Sequence, residues 1–139
     1  MPIFIDPILL GKVNHSLDIF GLDIINGGAG NDILVGGGAG DVFYFDSLQD
    51  ADVISDFNPQ QGDVIDISAI LDGYQQTDPI SNYVQLQATA EPDTFELLVN
   101  PTGSTVDDFQ LLVTLENLQH ATTVDDLLDN GNLILTSVT

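Results

Sequence analysis

Cysteine is absent and basic side chains nearly so: Lys12 is the one Lys or Arg in 139 residues. Without thiols there can be neither disulfides nor thiolate metal sites, and any extra stability a secreted domain needs must come from another source, such as a metal. With one base there is no patch able to neutralise phosphates, which excludes nucleic acid as a partner. Anionic membrane surfaces would repel the chain for the same reason. No run approaches the roughly 20 apolar residues of a membrane span, so membrane insertion is not expected. The N-terminus, Met1-Pro2-Ile3-Phe4-Ile5-Asp6-Pro7, lacks a basic region, and its apolar stretch is cut by Asp6 and Pro7. It is therefore not a secretory leader of the usual N-terminal kind. A C-terminal export signal would account for that, and so would a chain taken from something longer.

Catalytic patterns are missing too. His15 and His120 are the only histidines, and neither has a ligand partner at useful spacing. There is no zinc-binding His-Glu-x-x-His helix, no Gly-x-Ser-x-Gly elbow and no phosphate loop. The pairs Asp107-Asp108 and Asp125-Asp126 read as solvated or helix-start charges. An enzyme is not expected.

What the chain does have is acid. It carries 22 acidic residues for a net charge of −21. Nineteen are Asp and three are Glu (Glu91, Glu96, Glu116). A merely solvated surface would use both, whereas Asp suits tight turns and short-reach ligation. The skew favours cation binding, and the acid-rich surface of a halophile remains a partial alternative. Hydrophobic content of 43% permits a core, and the length suits one domain.

Two nine-residue blocks stand back to back in one phase: Gly27-Gly28-Ala29-Gly30-Asn31-Asp32-Ile33-Leu34-Val35 and Gly36-Gly37-Gly38-Ala39-Gly40-Asp41-Val42-Phe43-Tyr44. The preceding block, Asp18 to Asn26, keeps Gly21, Asp23 and Ile25 in phase. A flexible glycine linker would not hold Asp and a large apolar residue at fixed offsets through three blocks. The blocks are similar to those of calcium-binding parallel β-rolls, and that resemblance implies six residues of turn and three of strand per block, two blocks per turn of the roll, and a middle strand residue pointing into a narrow core. Ca²⁺ takes six to eight oxygens from carboxylates, carbonyls and water, and glycine lets a turn aim its carbonyls inward. The expected ligands are the carboxylates of Asp23, Asp32 and Asp41 with the carbonyls of Gly28, Gly30, Gly37 and Ala39. Ala39 stands where the pattern has its third glycine. Two blocks make one turn, so the loop at 18–23 should face that at 36–41. The loop at 27–32 should face the one ending near Asp50, a further expected ligand.

These blocks resemble the Gly-Gly-x-Gly-x-Asp-x-U-x nonapeptide (U a large apolar residue) of calcium-binding parallel β-rolls, the RTX repeat. Downstream, Asp52-Val53-Ile54-Ser55-Asp56-Phe57, then Gly62-Asp63-Val64-Ile65-Asp66-Ile67-Ser68, and finally the run from Val124 to Ile134 continue the likeness. Together they resemble the C-terminal RTX and type I secretion target domain of Gram-negative bacteria, as at the end of giant adhesins and of some secreted proteases and lipases. The likeness covers about residues 18–136. It implies a mainly β fold, a short calcium-bound parallel β-roll followed by an antiparallel capping region with short helices. It also implies that Asp52 and Asp56 are further calcium ligands, whereas Asp63 and Asp66 read better as strand-flanking aspartates.

The expected division is a leading strand that covers the N-terminal end of the roll (1–17), the roll (18–57) and a cap (58–139). Within the cap, Ser68–Gly73 reads as a helical turn and Asp78-Pro79 as the start of another, with Pro79 at its first helical position. Val84, Leu86 and Ala88 alternate, as do Phe95, Leu97 and Val99, and then Phe109, Leu111, Val113 and Leu115; these are half-buried antiparallel strands. Thr123 is a plausible N-cap for a helix at about 124–129, closed by Gly131 and followed by a last strand at 133–135.

The expected function is a calcium-triggered folding domain with about two to five Ca²⁺ ions. The resemblance adds that it ends a secreted adhesin, lies outside the cell as a monomer, and engages a type I ABC transporter through a signal after about Asp125. The alternatives are a calcium-rigidified ligand-binding adhesion module, or the tail of a secreted protease or lipase.

Overall fold

In the computed structural model of the chain, the described residues are 13–15, 24–26, 30–37, 40–46, 48, 51–71, 74–75, 77–103, 109–118 and 123–135. Strands that follow one another in sequence alternate between two parallel stacks. One stack holds β1 (Val13–His15), β3 (Ile33–Val35) and β5 (Asp52–Ile54); the other holds β2 (Ile24–Ile25), β4 (Val42–Tyr44) and β6 (Val64–Asp66). Ile24 pairs with Val42 and Val42 with Val64, while Val13 pairs with Ile33 and Ile33 with Val53. The step from Ile24 to Val42 is 18 residues (42 − 24), two nonapeptides, which is the two-blocks-per-turn geometry expected. The other turns take 20 residues (33 − 13 and 53 − 33) or 22 (64 − 42), where the repeat is degenerate.

Each short strand turns one large apolar residue inward. Ile25, Leu34, Phe43, Ile54 and Ile65 are all fully buried and stack on one another through the strand register. Phe45 lies on the same face as Phe43 and is also buried, whereas Tyr44 is half-buried on the other. Phe57 closes against Phe43 edge-on, with ring centroids 6.2 Å apart. Parallel strands buried from one side only at two or three residues each cannot stand alone. The remainder of the chain supplies the missing neighbours.

It does so by extending both stacks. β9 (Gln110–Leu115) pairs in parallel with β5, and β10 (Leu133–Ile134) pairs in parallel with β6. From β9 the sheet turns antiparallel through β8 (Phe95–Val99) to β7 (Val84–Ala88), giving the order β1-β3-β5-β9-β8-β7 beside β10-β6-β4-β2. The parallel stacks thus run across both 17/18 and 57/58. The three alternating runs of the cap form the antiparallel strands anticipated, but β9 also carries the parallel pairing to β5. A register shift between Leu97 and Leu98 leaves Leu112 as the extra residue on β9, so neighbouring Leu112 and Val113 are both buried.

The helical pieces fall close to expectation. Residues 68–70 form turns closed by Ile70 and Leu71 donating to the Ile67 carbonyl. A 3-10 turn spans Ile80–Asn82 with Pro79 just before it as N-cap, one position earlier in the motif than expected. α1 (Val124–Asp129) is capped by Thr123 in a reciprocal box: Thr123 Oγ1 accepts from Asp126 N–H at 3.1 Å and Asp126 Oδ2 from Thr123 N–H at 3.2 Å. It ends in a Schellman pattern. Gly131 at φ 76° donates to the Leu128 carbonyl and Asn132 to that of Leu127. No helix among the described residues is long and apolar enough to cross a membrane.

Ile65 touches rungs on either side of it, Phe43 and Leu133 in register. Ile65→Ala should therefore cost about 2–5 kcal/mol, read as a lower urea midpoint in saturating calcium.

Candidate calcium loops

The loops between rungs bring aspartates together in pairs. Asp32 and Asp41, the sixth residues of the two clear blocks, are 1% and 0% exposed. Each immediately precedes its strand, and the parallel register sets it beside an aspartate one rung on: Asp32 beside Asp52 and Asp41 beside Asp63. The two pairs are built alike. Asp32 N–H donates to Asp52 Oδ1 at 2.8 Å, and Asp41 N–H donates to Asp63 Oδ1 at 2.9 Å. In return Val53 N–H and Val64 N–H donate to the carbonyls of Asp32 and Asp41, both at 2.8 Å. Asp52 and Asp63 are buried as well.

Asp56 performs the same service for the front of the second block. Its Oδ1 accepts from Gly36 N–H at 3.0 Å and its Oδ2 from Gly37 N–H at 2.8 Å. Gly30 and Gly37 both sit at positive φ, 93° and 87°, the conformation that lets a glycine turn carry its carbonyls inward. Gly36 has no room for a side chain: a Cβ there would collide with Asp41 Oδ2 and press on the Phe43 ring. The carboxylate of position six is thus folded under the first glycine of its own loop. Oδ2 of Asp32 and Oδ2 of Asp41 are buried and accept no hydrogen bond, while other atoms of both residues are engaged.

Of the ten residues anticipated as ligands, Asp23, Gly28, Ala39 and Asp50 lie outside the described residues. Asp32, Asp41, Gly30 and Gly37 lie in the turns before β3 and β4. Asp52 and Asp56 are in the loops too, each with its carboxylate on a backbone N–H of the preceding turn. Among the described residues no three acidic or histidine side chains converge as a metal-holding group. Asp63, read from sequence as strand-flanking, proves to anchor the Asp41 loop. Burial pushes its carboxyl up to about 6, against the pull of the N–H groups of Asn58 and Asp41, and nearby Asp56 pushes it further up.

The residues fit a hard cation. Four buried aspartates (32, 41, 52 and 63) face a chain with one Lys and two His. Buried charges must be paired or coordinate a metal, and one Lys cannot serve four. Glycine-rich turns ending in paired carboxylates, stacked over a ladder of inward apolar residues, define the RTX-type calcium-binding β-roll. The family comparison agrees: residues 11–126 match the peptidase M10 serralysin C-terminal family, and the chain belongs to it. Among solved structures it is similar to the AlgE6R3 subunit of the Azotobacter vinelandii mannuronan C5-epimerase, with 23% identity and a TM-score of 0.57 over 94% of this chain and 70% of that one. That likeness concerns the fold. No curated protein matches the chain significantly.

Two substitutions probe the loop directly. Asp41→Asn should raise the calcium midpoint for folding by about tenfold or more, the equivalent of roughly 1.4 kcal/mol or above, as followed by circular dichroism. Gly36→Ala should shift it in the same direction, since overpacking costs about 1–3 kcal/mol. Asp125→Asn, on the exposed first turn of α1, should leave it within about twofold, a change of roughly 0.4 kcal/mol.

Proposed function

We propose that this chain is a calcium-triggered folding domain of a secreted protein, left unfolded inside the cell and folded by the calcium it meets outside. The observation that carries this reading is the pairing of buried aspartates across rungs, Asp32 with Asp52 and Asp41 with Asp63. Neighbouring strands lie about 4.8 Å apart, well within the Debye length of roughly 8 Å over which charges repel in physiological salt. Leaving a buried charge without its counter-ion costs about 3–5 kcal/mol, so a fold that buries these carboxylates without a cation starts heavily penalised. Calcium modules of the extracellular type bind at about 10⁻⁴–10⁻³ M, which matches the ion outside the cell and far exceeds its cytosolic level. Each site at ten times its dissociation constant adds roughly 1.4 kcal/mol. Three such sites weigh heavily in a domain whose stability is about 5–15 kcal/mol.

Export follows from the family likeness. The chain would pass unfolded through a type I ABC transporter, addressed by a signal in its last residues, and fold on emergence. Folding outside the membrane then opposes return. The parent protein is either a large adhesin or a secreted hydrolase. Membership of a family named for the C-terminal region of M10 peptidases favours the protease tail.

Far-UV circular dichroism in EDTA, titrated with CaCl₂ and separately with MgCl₂, tests the folding switch. A cooperative gain of β signal at about 0.1–1 mM Ca²⁺, without a counterpart in Mg²⁺, is expected. A full native spectrum in EDTA would refute it. For export, the whole chain fused behind a passenger should deliver that passenger to the medium of a type I-competent strain and not of a transporter-null one.

A further inference from the structure

We propose that Asn132 couples the C-terminal strand to the calcium loop that ends at Asp41, so that filling that loop and docking β10 are one linked event. The inference rests on the calcium-triggered folding reading and adds to it a fate for the C-terminus. Its basis is one continuous run of contacts. Asn132 is 3% exposed, and its Nδ2 donates to the Asp63 carbonyl at 2.7 Å and to the Pro59 carbonyl at 3.2 Å. Its own carbonyl accepts from Ile65 N–H at 2.8 Å. Asp63 thus holds the end of the calcium loop with its carboxylate and the C-terminal strand with its carbonyl.

The segment between them is rigid. Asn58 caps the 3-10 turn Pro59–Gln61 and gives its N–H to Asp63 Oδ2 at 2.8 Å, and Gly62 closes the turn at φ 94°. Gly40, in the calcium loop, presses on that turn so closely that a Cβ would lie 2.8 Å from the Gly62 carbonyl oxygen. Loop, turn and Asn132 therefore move together. The other stack is built differently: there Asp52 pairs with Val113 of β9, an apolar neighbour.

The physical consequence is a latch. β10 has two paired residues and cannot hold its place by strand pairing alone. Leu133 and Leu135 seat it in the core, and Asn132 ties it to the 58–63 turn, which Asp63 joins to the Asp41 loop. Two buried carboxylates in adjacent rungs stay there when a cation offsets them. With calcium absent, the turn loosens and the C-terminal strand is released; with calcium bound, it is buried as the last rung. Coupling of this kind is reciprocal, so a docked β10 raises the calcium affinity of the loop by the same factor. On the export reading, the residues that address the transporter are accessible in low calcium and withdrawn in high.

Hydrogen exchange with mass spectrometry across a calcium titration of the full chain tests this. In the native sequence, amides at 42–44 and at 133–135 should gain protection at the same calcium concentration. In Asn132→Ala, protection at 42–44 should come first, with 133–135 following only at about tenfold higher calcium, within the 5–150-fold range of typical couplings. Thr123→Ala, which uncaps α1 without touching Asp63, should move both segments together. Coincident midpoints in Asn132→Ala would overturn the latch and leave Asn132 a structural residue. Separate midpoints in the native chain would overturn it without recourse to any variant, and so decide the matter if Asn132→Ala does not fold. Calcium-independent protection at 133–135 with calcium-dependent protection at 42–44 overturns the latch alone. Full protection of both in EGTA overturns it together with the folding switch.

Discussion

Asp41 and Asp63 are both buried, sit in adjacent rungs of a parallel stack, and touch through a backbone N–H on a carboxylate. Asp32 and Asp52 repeat the arrangement in the other stack. In water such charges would separate. In this fold they are fixed at one strand spacing, because the apolar residues two positions later in each rung, Phe43 with Ile65 and Leu34 with Ile54, must also stack. The hydrophobic ladder and the carboxylate columns therefore share one register. Whatever offsets the charge also permits the core, so on the calcium-triggered reading proposed above the loops belong to the fold's stability and are not an addition to it.

That dependence explains why the chain continues so far beyond its clear repeats. Two good blocks make barely one turn of roll, with open edges on both stacks. β6, β9 and β10 close those edges with parallel pairing, and the β7–β8 hairpin carries β9's free edge into an antiparallel sheet. Local devices hold the added pieces in place. Thr123 and Asp126 start α1, Gly131 stops it in a left-handed turn, and the stop delivers Asn132 inward to the 58–63 turn. On the other side, the Tyr83 ring meets Tyr74 edge-on at 5.0 Å and lies flush against Gly103, where a Cβ would strike it.

Much of the site was legible in the chain before any coordinates. The phase of Gly, Asp and the inward apolar residue marked Asp32 and Asp41, their strands, and the stacking of alternate blocks. Asp52 and Asp56 were placed in the loops by resemblance, and their carboxylates do meet the turns of the preceding rung. Their hold on the N–H groups of Asp32, Gly36 and Gly37 was not legible. Those contacts join residues 19 or 20 apart in sequence, and no local spacing encodes them. Asn132 gave no signal at all, since an Asn after a helix-stopping Gly looks like any polar turn residue.

The sequence by itself determined the local chemistry: the turn-forming glycines, the acid count against one base, the period-nine placement of Asp and apolar residues, and the start and stop of α1. Apart from the acid count, each is a property of residues close to one another in the chain, where backbone geometry and side-chain reach settle the outcome. Only the tertiary structure decided which aspartates become neighbours, that β9 and β10 continue the roll as parallel rungs, and that the C-terminal strand meets the calcium loop through Asp63. Those are choices of pairing between distant segments. They are made by the shared burial of the core and the register it imposes, which no stretch of the chain carries alone.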